Sequence, residues 1–518
     1  MGVRNPGLIE VSAPVSVNLH AGDVLRFDDA IEGVVLDVSA NETGIWSLVS
    51  VGGDVLPAIS ATGGLHKRVG DKHAMLGVVE PGTDIQSMRF RAPGNVARVR
   101  EGSVVRVRLR DEDVLYQVIG ATIRRETLSS PIEHRFVEIE TRKIGRWLHS
   151  DDRFRSVAWL PQAGHPAYLE TSGDPGVRRD YIGTIPDTDF GIRIDADQLI
   201  THNTAILGIL GIGKTYLAFE LIRRILIAGR KVIVLDITGQ YAKEFADVYP
   251  PDTQDQTSAT IDAAIAANRN HVAQNVHEGG NLQDFRVAIR AELETFVVGT
   301  DLLRIYNPAA FDVVRQDSKP YAGAASMAPL TTAEVTHWLA EELLGLLSGT
   351  MTAEARVCLV LEEAHSLVPE WNSTTYDGDQ RASNGTARAI LQGRKYGLGV
   401  ILITQRTANV TKTILNQCNT VFALRTFDST GMEFLRNYIG GEYADVLSGL
   451  EERTAVVFGR ASSCETPVIV RLNERDAMME ALWEPFARDH GLGGVDAESP
   501  AMGNIDARPI DHDVNGDA

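Results

Sequence analysis

A glycine-rich stretch near the middle of the chain has the residue types and spacing of a phosphate-binding loop. It reads Gly208-x-x-x-x-Gly213-Lys214-Thr215, a full match to the P-loop pattern. Backbone N–H groups of such a loop point into one concavity, and the helix N-terminus behind it favours negative charge. Lys214 is expected to reach the β- and γ-phosphates of ATP, and the Thr215 hydroxyl to help hold Mg²⁺. The residues predicted to bind nucleotide here are Gly208, Gly211, Ile212, Gly213, Lys214, Thr215 and Tyr216.

The segments on either side of this loop are those that a P-loop needs. Residues 205–207 form a short apolar run suited to a buried strand, and residues 216–227 show helical periodicity. Gly229 is placed to end that helix, and residues 231–236 form a second β-branched run. The alternative is a glycine-containing turn before an ordinary helix, but strand and helix seldom flank such a turn in this order.

Two adjacent carboxylates follow a second apolar stretch. Residues 357–361 are typical of a buried strand, and Glu362 and Glu363 come directly after it. This is the form of a Walker B element, in which the first carboxylate supports Mg²⁺ and the second can polarise the attacking water. The alternative is a buried strand with a solvated acidic end. The P-loop upstream favours the Walker B interpretation, because a Mg²⁺–nucleotide site needs a second acidic element.

A polar amide follows another apolar run. Residues 398–404 predict a buried strand, and Gln405 comes directly after it. A glutamine in this position can sense the γ-phosphate or orient water, as in other NTPases. The helix predicted before this strand carries Arg388, with Arg394 and Lys395 at its end.

The order of the predicted elements indicates how these residues are positioned. Strands alternate with helices after residue 180, which predicts an α/β fold with a mostly parallel sheet covered on both faces. Residues 15–126 are β-like, with Gly and Pro turn signals between short apolar runs, as in a small barrel or sandwich. The predicted organisation is an N-terminal β-barrel (1–130), a β-rich connector (131–180), a nucleotide-binding core (181–241 and 301–480), a helical insertion (242–300) and an acidic, disordered tail (481–518).

Composition narrows the class of protein. The 518 residues suffice for about three domains, no apolar run approaches the ~20 residues that span a bilayer, and no signal peptide is evident. We therefore expect a cytoplasmic protein without a membrane segment. The net charge of −19 argues against a protein whose whole surface is basic and binds nucleic acid. Contacts with phosphate nevertheless depend on where individual Lys and Arg residues lie. Arginines alternate along residues 104–110, a pattern that could be a nucleic-acid face but is more often the solvated side of a sheet.

Several motifs taken together resemble the HerA-like ATPases, the branch of the FtsK–HerA P-loop motors with an N-terminal HAS-type β-barrel. The resemblance covers residues 15–472, most of the chain. Besides the P-loop, the matching text is Ile182-Gly183-x-Ile185-Pro186, Val234-Leu235-Asp236-x-x-Gly239-x-Tyr241, residues 359–369 (LVLEEAHSLVP), Gly393-Arg394-Lys395-Tyr396-Gly397, Ile403-Thr404-Gln405-Arg406 and Asn416-Gln417-Cys418-Asn419-Thr420.

The resemblance implies a RecA-like core and a homohexameric ring that translocates on double-stranded DNA, with active sites between subunits. Such rings commonly work with a nuclease of the NurA type or with an antiviral effector, for example a Sir2-like one. By position, Asp236 matches an acidic residue near the nucleotide, Glu363 the catalytic carboxylate and Gln405 the sensor. Arg388 or Arg394 would stabilise γ-phosphate charge, in cis or across an interface; for either arginine alone, a solvated helix position is equally consistent.

The chain departs from the family pattern at several positions. Glu362 stands where Asp is usual, the loop segment Ile209-Leu210-Gly211-Ile212 stands where the family usually has a Ser or Thr and another Ser, and His202 replaces a frequent Arg. These changes leave room for a second hypothesis, a nucleotide-gated scaffold that regulates an effector with little translocation. A third, a secretion or conjugation ATPase related to VirB4, is disfavoured by the β-rich N-terminus and the lack of membrane segments.

Overall fold

The N-terminal strands pair in an antiparallel sheet of their own. In this computed structural model the described residues are 2–5, 8–14, 19–20, 23–27, 31–41, 44–50, 65–67, 75–93, 99–109, 112–122, 136–173, 176–316, 326–370 and 377–492. Ile9, Val35 and Val49 are fully buried in the small core of this sheet. The strand order is β1-β2-β5-β4-β3-β6. The strands are β1 (Gly2–Asn5), β2 (Leu8–Ala13), β3 (Val24–Phe27), β4 (Ile31–Asn41), β5 (Gly44–Ser50) and β6 (Leu65–Lys67).

A closed β-barrel follows, because the two ends of its strand order also pair with each other. The order is β10-β9-β13-β7-β8-β11, β10 pairs with β11 to close the ring, and β12 extends β11. The predicted boundary at residue 130 lies inside this barrel, since β11 and β13 come from the stretch assigned to a connector. Alternation marks a strand but does not reveal its partners. The strands are β7 (Met75–Val79), β8 (Ser87–Pro93), β9 (Val104–Leu109), β10 (Glu112–Thr122), β11 (Phe136–Leu148), β12 (Arg153–Arg155) and β13 (Pro166–Glu170).

The α/β fold is confirmed by a ten-stranded sheet whose strands lie between residues 181 and 472. Its order is β15-β14-β25-β24-β23-β16-β22-β21-β17-β18, with β23 to β18 parallel and the other strands antiparallel. A two-stranded hairpin, β19–β20, lies apart. The strands are β14 (Tyr181–Thr184), β15 (Gly191–Arg193), β16 (Thr204–Leu207), β17 (Lys231–Leu235), β18 (Leu303–Tyr306), β19 (Val314–Gln316), β20 (Met327–Pro329), β21 (Thr352–Leu361), β22 (Tyr396–Thr404), β23 (Thr420–Leu424), β24 (Thr454–Phe458) and β25 (Val468–Leu472).

Helices cover both faces of this sheet, because alternate strand residues are buried on opposite sides. Ile233 and Leu235 pack into one core, whereas Val232 and Val234 pack into the other. A 3₁₀ helix (Thr407–Asn409) and a π-helix (Met479–Trp483) complete the set. The α-helices are α1 (Ala196–Thr201), α2 (Lys214–Ile227), α3 (Gln240–Glu244), α4 (Pro251–Ala266), α5 (Leu282–Val298), α6 (Thr332–Leu347), α7 (Ala364–Leu367), α8 (Asp377–Gly393), α9 (Lys412–Leu415), α10 (Ser429–Ile439), α11 (Gly441–Val446), α12 (Arg475–Met478) and α13 (Glu484–Asp489).

A buried glutamine joins the barrel to the α/β domain. The Gln117 side chain is fully buried in β10, and its Nε2 donates to the carbonyl oxygens of Gly102 (3.0 Å) and Ile469 (2.9 Å). Its Oε1 accepts from the Ile469 amide at 2.7 Å, so the glutamine extends the hydrogen bonding of β25.

The alternating arginines of residues 104–110 lie on β9, where Arg106 pairs with Glu170 at 2.9 Å. At Arg106, the face that carries these arginines is therefore an ion-paired outer surface of the barrel.

The C-terminal segment is ordered further than the sequence predicted. Residues 481–492, assigned to a disordered tail, continue a helical segment, and Trp483 is only 2% exposed. The acidic composition of the predicted tail did not indicate that the Trp483 side chain is buried. Residues 493–518, where disorder was also predicted, lie outside the described residues. Across the described ranges, no helix combines the length and apolar character needed to cross a bilayer.

Candidate functional site

The loop between β16 and α2 follows a path that requires glycine at two positions. Gly213 precedes α2 with φ of +100°, a left-handed conformation that residues with a Cβ rarely adopt. A Cβ on Gly208 would lie 2.8 Å from Ile212 Cδ1 and 2.9 Å from Leu424 Cβ. The loop is therefore packed tightly against the end of β23 and turns sharply into the helix, the geometry that presents a helix N-terminus to phosphate.

Lys214 begins α2 and is 8% exposed. Its Nζ donates to the carbonyl oxygen of Ile209 at 2.5 Å, which folds the side chain back over the loop. Burial lowers the pKa of Lys214, and the negative charges of Glu363 and Glu362 oppose that shift. The amine therefore lies within electrostatic range of both carboxylates. Thr215, half-buried, follows on the first turn of α2.

The strands bring the predicted site residues to one edge of the sheet. In the parallel register, Leu207 is opposite Thr404, Leu361 is opposite Leu402, and Leu235 is opposite Leu361. The residues that follow these strands therefore lie side by side, at the carboxyl ends where ligands bind in α/β sheets. They are Gly208, Asp236, Glu362 and Gln405.

Glu363 makes contacts through both of its carboxylate oxygens. Gln405 Nε2 donates to Oε1 at 3.0 Å, and His365 Nδ1 lies 3.2 Å from Oε2. The backbone of Glu363 is left-handed, with φ of +51° and ψ of +51°, a conformation uncommon for glutamate. Glu363 with this backbone conformation lies between the extended strand β21 and the helix α7. Sequence reasoning did not assign His365, and its position two residues after Glu363 was the available signal.

Glu362 is held by a tyrosine that the sequence did not single out as functional. The Tyr241 hydroxyl donates to Oε2 of Glu362, and both side chains are buried. Burial raises the pKa of Glu362 to about 7; the Tyr241 hydrogen bond and Lys214 lower it, while Glu363 and Asp236 raise it further. The Tyr241 ring packs edge-on against Phe219 of α2, with centroids 4.9 Å apart. Tyr241 therefore links the P-loop helix to Glu362.

Asp236 organises the turn after β17. Its Oδ1 accepts from the Thr238 amide (2.7 Å) and the Gly239 amide (3.1 Å), and its Oδ2 accepts from the Tyr241 amide (3.0 Å). These bonds use both oxygens of the carboxylate within the turn. The predicted nucleotide-binding residue thus fixes the start of α3, which carries Tyr241.

The two candidate arginines are not brought to this edge. Arg388 is exposed on α8 and influences the pKa of His337. Arg394 precedes β22, whereas Gln405 follows it, so they lie at opposite edges of the sheet, about 30 Å apart along a strand of this length. Arg394 lines a polar cleft of about 160 Å³ with His202, and Arg460 Nη1 lies 3.2 Å from His202 Nε2. A cationic cluster therefore occupies the edge opposite the P-loop.

The donor set at the P-loop edge suits a magnesium nucleotide. Mg²⁺ usually keeps several waters and takes one or two protein oxygens together with phosphate oxygens. Glu362 supplies a buried carboxylate whose Oε1 is not used by Tyr241, and Thr215 supplies a hydroxyl at the helix N-terminus. The raised pKa of Glu362, caused by burial, indicates a carboxylate that a nearby cation would stabilise in its charged form.

Comparison with known proteins points to one family. A family model described as the central domain of helicase HerA matches residues 180–288. The probable helicase MJ1565 of Methanocaldococcus jannaschii is 21% identical over 431 residues, covering 70% of this chain and 82% of that protein. The DNA double-strand break repair helicase HerA of Pyrococcus furiosus is 26% identical over 119 residues, covering 22% of this chain and 20% of that protein. The chain thus matches only a fifth of the length of that HerA protein.

Solved structures with some similarity include two nucleotide-bound proteins. The genome packaging NTPase B204 of Sulfolobus turreted icosahedral virus 2, in complex with ATP-gammaS, gives a TM-score of 0.32 at 14% identity, covering 52% of this chain and 97% of that one. The pCW3 conjugation coupling protein TcpA, with ATPgS, gives 0.35 at 12% identity, covering 81% and 94%. Residues 180–288, which contain the P-loop, are thus similar to the central domain of helicase HerA, and most of the chain is similar to a protein named as a probable helicase.

Proposed function

We propose that this protein is an ATP-hydrolysing ring motor, a homohexamer that translocates on double-stranded DNA to serve a partner nuclease or antiviral effector. One observation carries the proposal: Lys214, Glu362, Glu363 and Gln405 lie at the same edge of the sheet, and the charges of both carboxylates act on Lys214. A phosphate-binding cation and a pair of acids in this arrangement suit phosphoryl transfer to water.

In the proposed mechanism the chain positions a triphosphate and a water molecule. Lys214 binds the β- and γ-phosphates, and Thr215 and Glu362 would hold Mg²⁺, which neutralises phosphate charge when bound. Glu363 accepts a proton from the attacking water through a carboxylate oxygen, and Gln405 orients that water. The Gln405–Glu363 hydrogen bond of 3.0 Å supports this pairing of roles. Tyr241 keeps Glu362 in place.

In the proposed homohexamer, a neighbouring copy supplies a further cation to the P-loop edge. Arg394, His202 and Arg460 form a cluster at the opposite edge, and Arg388 is exposed on α8. If neighbouring copies pack with this edge against the P-loop edge, these residues come close to the γ-phosphate of the next subunit. The proposal therefore assigns Arg394 or Arg388 a role in trans.

We propose that the ring translocates along double-stranded DNA, because a relative of this chain is named as a helicase that acts on DNA breaks. The Pyrococcus furiosus protein is named as a DNA double-strand break repair helicase. The net charge of −19 means that DNA must contact a locally basic surface. A partner nuclease of the NurA type, or a Sir2-like or nuclease effector, would use the translocated DNA.

The test is ATP turnover of the full chain with and without linear duplex DNA, together with DNA binding at increasing salt. Turnover should rise with duplex, and affinity should fall steeply with salt as phosphate contacts release counterions. Electron microscopy with an ATP analogue and duplex should show six-fold particles around DNA. Turnover indifferent to duplex, with no salt-sensitive binding, would reject the translocase.

A second function is favoured by the P-loop itself. The loop segment Ile209-Leu210-Gly211-Ile212 stands where the resembled family usually has a Ser or Thr and another Ser, and Leu210 is 79% exposed. This composition suits a slow ATPase that acts as a nucleotide-gated scaffold for an effector. Co-purification of an effector with an ATP-bound, hydrolysis-poor ring would select this function over the motor.

A further inference from the structure

We propose that the exposed polar face of α8 contacts the phosphate backbone of duplex DNA. This inference rests on the proposed function, in which the ring translocates along double-stranded DNA. Because the chain carries a net charge of −19, contact with DNA requires a locally basic surface. Residues 380–427, a stretch that begins within α8, contain seven Lys and Arg residues and no Asp or Glu, although the whole chain has 69 acidic residues.

Exposed polar side chains of α8 form one face of two arginines and two amides. They recur every three or four residues, the spacing at which side chains project from the same side of a helix. On the opposite side, Ala387 and Ile390 are buried in a core of the α/β domain. At 1.5 Å per residue the face is about 16 Å long, enough to lie beside several phosphates of a duplex. Its members are Arg381, Asn384, Arg388 and Gln392.

The two arginines of this face are not neutralised by the fold. Neither Arg381 nor Arg388 forms an ion pair with any residue that the structure describes, whereas Arg106 on β9 is held by one. Burial lowers the pKa of His337; Glu341 of α6 opposes this shift and Arg388 adds to it, so Glu341 lies within electrostatic range without pairing with the arginine. Such guanidinium groups can bind the phosphate oxygens of another molecule.

The alternative partner for this face is an acidic surface of a neighbouring copy. The carboxylates that follow the strands at the P-loop edge are already engaged within the chain: Asp236 by backbone amides, Glu362 by the Tyr241 hydroxyl and Glu363 by the Gln405 amide. Arginine and amide side chains that alternate along a helix suit a row of phosphates, because both types donate to phosphate oxygens. The observations therefore favour DNA, and the assignment leaves Arg394 for the role in trans.

The test measures how the affinity of the full chain for a linear blunt-ended duplex falls with salt. Each phosphate contact that is lost should make the slope of log affinity against log salt shallower by about 0.9. Arg381→Gln and Arg388→Gln should each have this effect, and two duplexes of unrelated sequence should respond alike. Arg436→Gln is the matched control and should keep the wild-type slope, because this exposed arginine of α10 is ion-paired with Asp445.

A combined variant carries both replacements, Arg381→Gln and Arg388→Gln, and should lose about twice as much slope as either one. The wild-type slope in this variant would overturn the inference; if the wild type itself shows a steep slope, the translocase would stand and its DNA surface would lie elsewhere. Loss of assembly with ATPγS, read by light scattering, would also overturn it, because the face would then contact a neighbouring copy. A wild type without salt-sensitive duplex binding would reject the inference and the translocase together. Replacing both arginines by lysine keeps the charges and should preserve the slope.

Discussion

Gln405 donates a hydrogen bond from Nε2 to Oε1 of Glu363, with an N···O distance of 3.0 Å. The two residues follow neighbouring parallel strands, β22 and β21, and are 42 positions apart in the chain. On the opposite side of the carboxylate, His365 lies 3.2 Å from Oε2. The proposed general base is therefore oriented by the Gln405 amide, so its direction depends on the pairing of two neighbouring strands.

Replacement Lys214→Ala should abolish ATP turnover. Lys214 is the cation at the start of α2, and removing one preorganised group that stabilises transition-state charge lowers turnover by about 100-fold or more. Steady-state phosphate release measures this effect. A variant that folds normally, judged by its thermal midpoint, and keeps wild-type turnover would show that the phosphate site is wrongly assigned.

Replacement Glu363→Gln should separate binding from hydrolysis. The amide keeps the size of the side chain but cannot accept the proton, so kcat should fall about 10²- to 10⁴-fold. Nucleotide affinity should remain close to that of the wild type, because the phosphates contact the loop and Lys214. Binding is measured with a fluorescent ATP analogue and turnover by phosphate release. Loss of affinity with unchanged kcat would contradict the assigned role.

Replacement Tyr241→Phe should weaken both stability and the response to Mg²⁺. It removes the donor to buried Glu362, which should cost about 1–3 kcal/mol of unfolding free energy, and frees the carboxylate from its fixed position. Half-saturation of nucleotide binding should then require more Mg²⁺. Urea unfolding and a Mg²⁺ titration of nucleotide affinity measure the two effects.

The matched control for that variant is Tyr443→Phe. Tyr443 is 3% exposed, and its hydroxyl has no hydrogen-bond partner within the described part of the chain. Removing this hydroxyl should leave stability nearly unchanged and leave the Mg²⁺ response untouched. Equal effects in the two variants would mean that the Tyr241 hydroxyl has no special relation to Glu362.

Replacement Arg394→Ala should lower ATP turnover without reducing nucleotide affinity, because Arg394 is proposed to act on the nucleotide of a neighbouring copy. Mixing Arg394→Ala with Lys214→Ala subunits should restore some activity, since each mixed interface can combine an intact P-loop with an intact arginine. Lys395→Ala, at the adjacent cation, is the control. No recovery on mixing, despite shown exchange of subunits, would argue against a role in trans.

The stability of the protein should fall in mildly acidic solution partly because of His337. Burial lowers the pKa of His337, and Arg388 and Arg286 lower it further against the opposing effect of Glu341. The native imidazole therefore stays neutral where the unfolded one is protonated, and the unfolded state binds more protons. Stability contributed by the neutral form is lost as the pH falls below about 6.5. In urea unfolding at pH 7.5 and 5.5, His337→Gln should lose less stability than the wild type; equal losses would refute this assignment.

Some features of the fold followed directly from local sequence. Thr331-x-x-Glu334 has the spacing of a capping box, and the structure contains one: the Glu334 amide donates to Thr331 Oγ1 at 3.2 Å, and α6 begins there. Cys358 and Cys418 lie in or beside apolar strand-like stretches, where a thiol is expected to be buried, and both are fully buried. These features depend on residues a few positions apart, so a pattern within one segment suffices.

Other features depended on contacts between distant segments. Closure of the barrel needs β10 to pair with β11 as well as β9, and the alternation of residues in a strand does not name its neighbours. Trp483 is buried against Arg223 from another part of the chain, and no pattern within the segment around Trp483 indicates that contact.

For the site, the sequence by itself determined the chemistry: a glycine-rich loop with Lys214 and Thr215, and a pair of carboxylates after an apolar strand. Only the tertiary structure decided how these groups meet. It placed Gln405 against Glu363, Tyr241 against Glu362 and Arg394 at the far edge of the sheet. The physical reason is that a motif fixes residue types and local backbone, whereas strand order and register fix which side chains share a ligand.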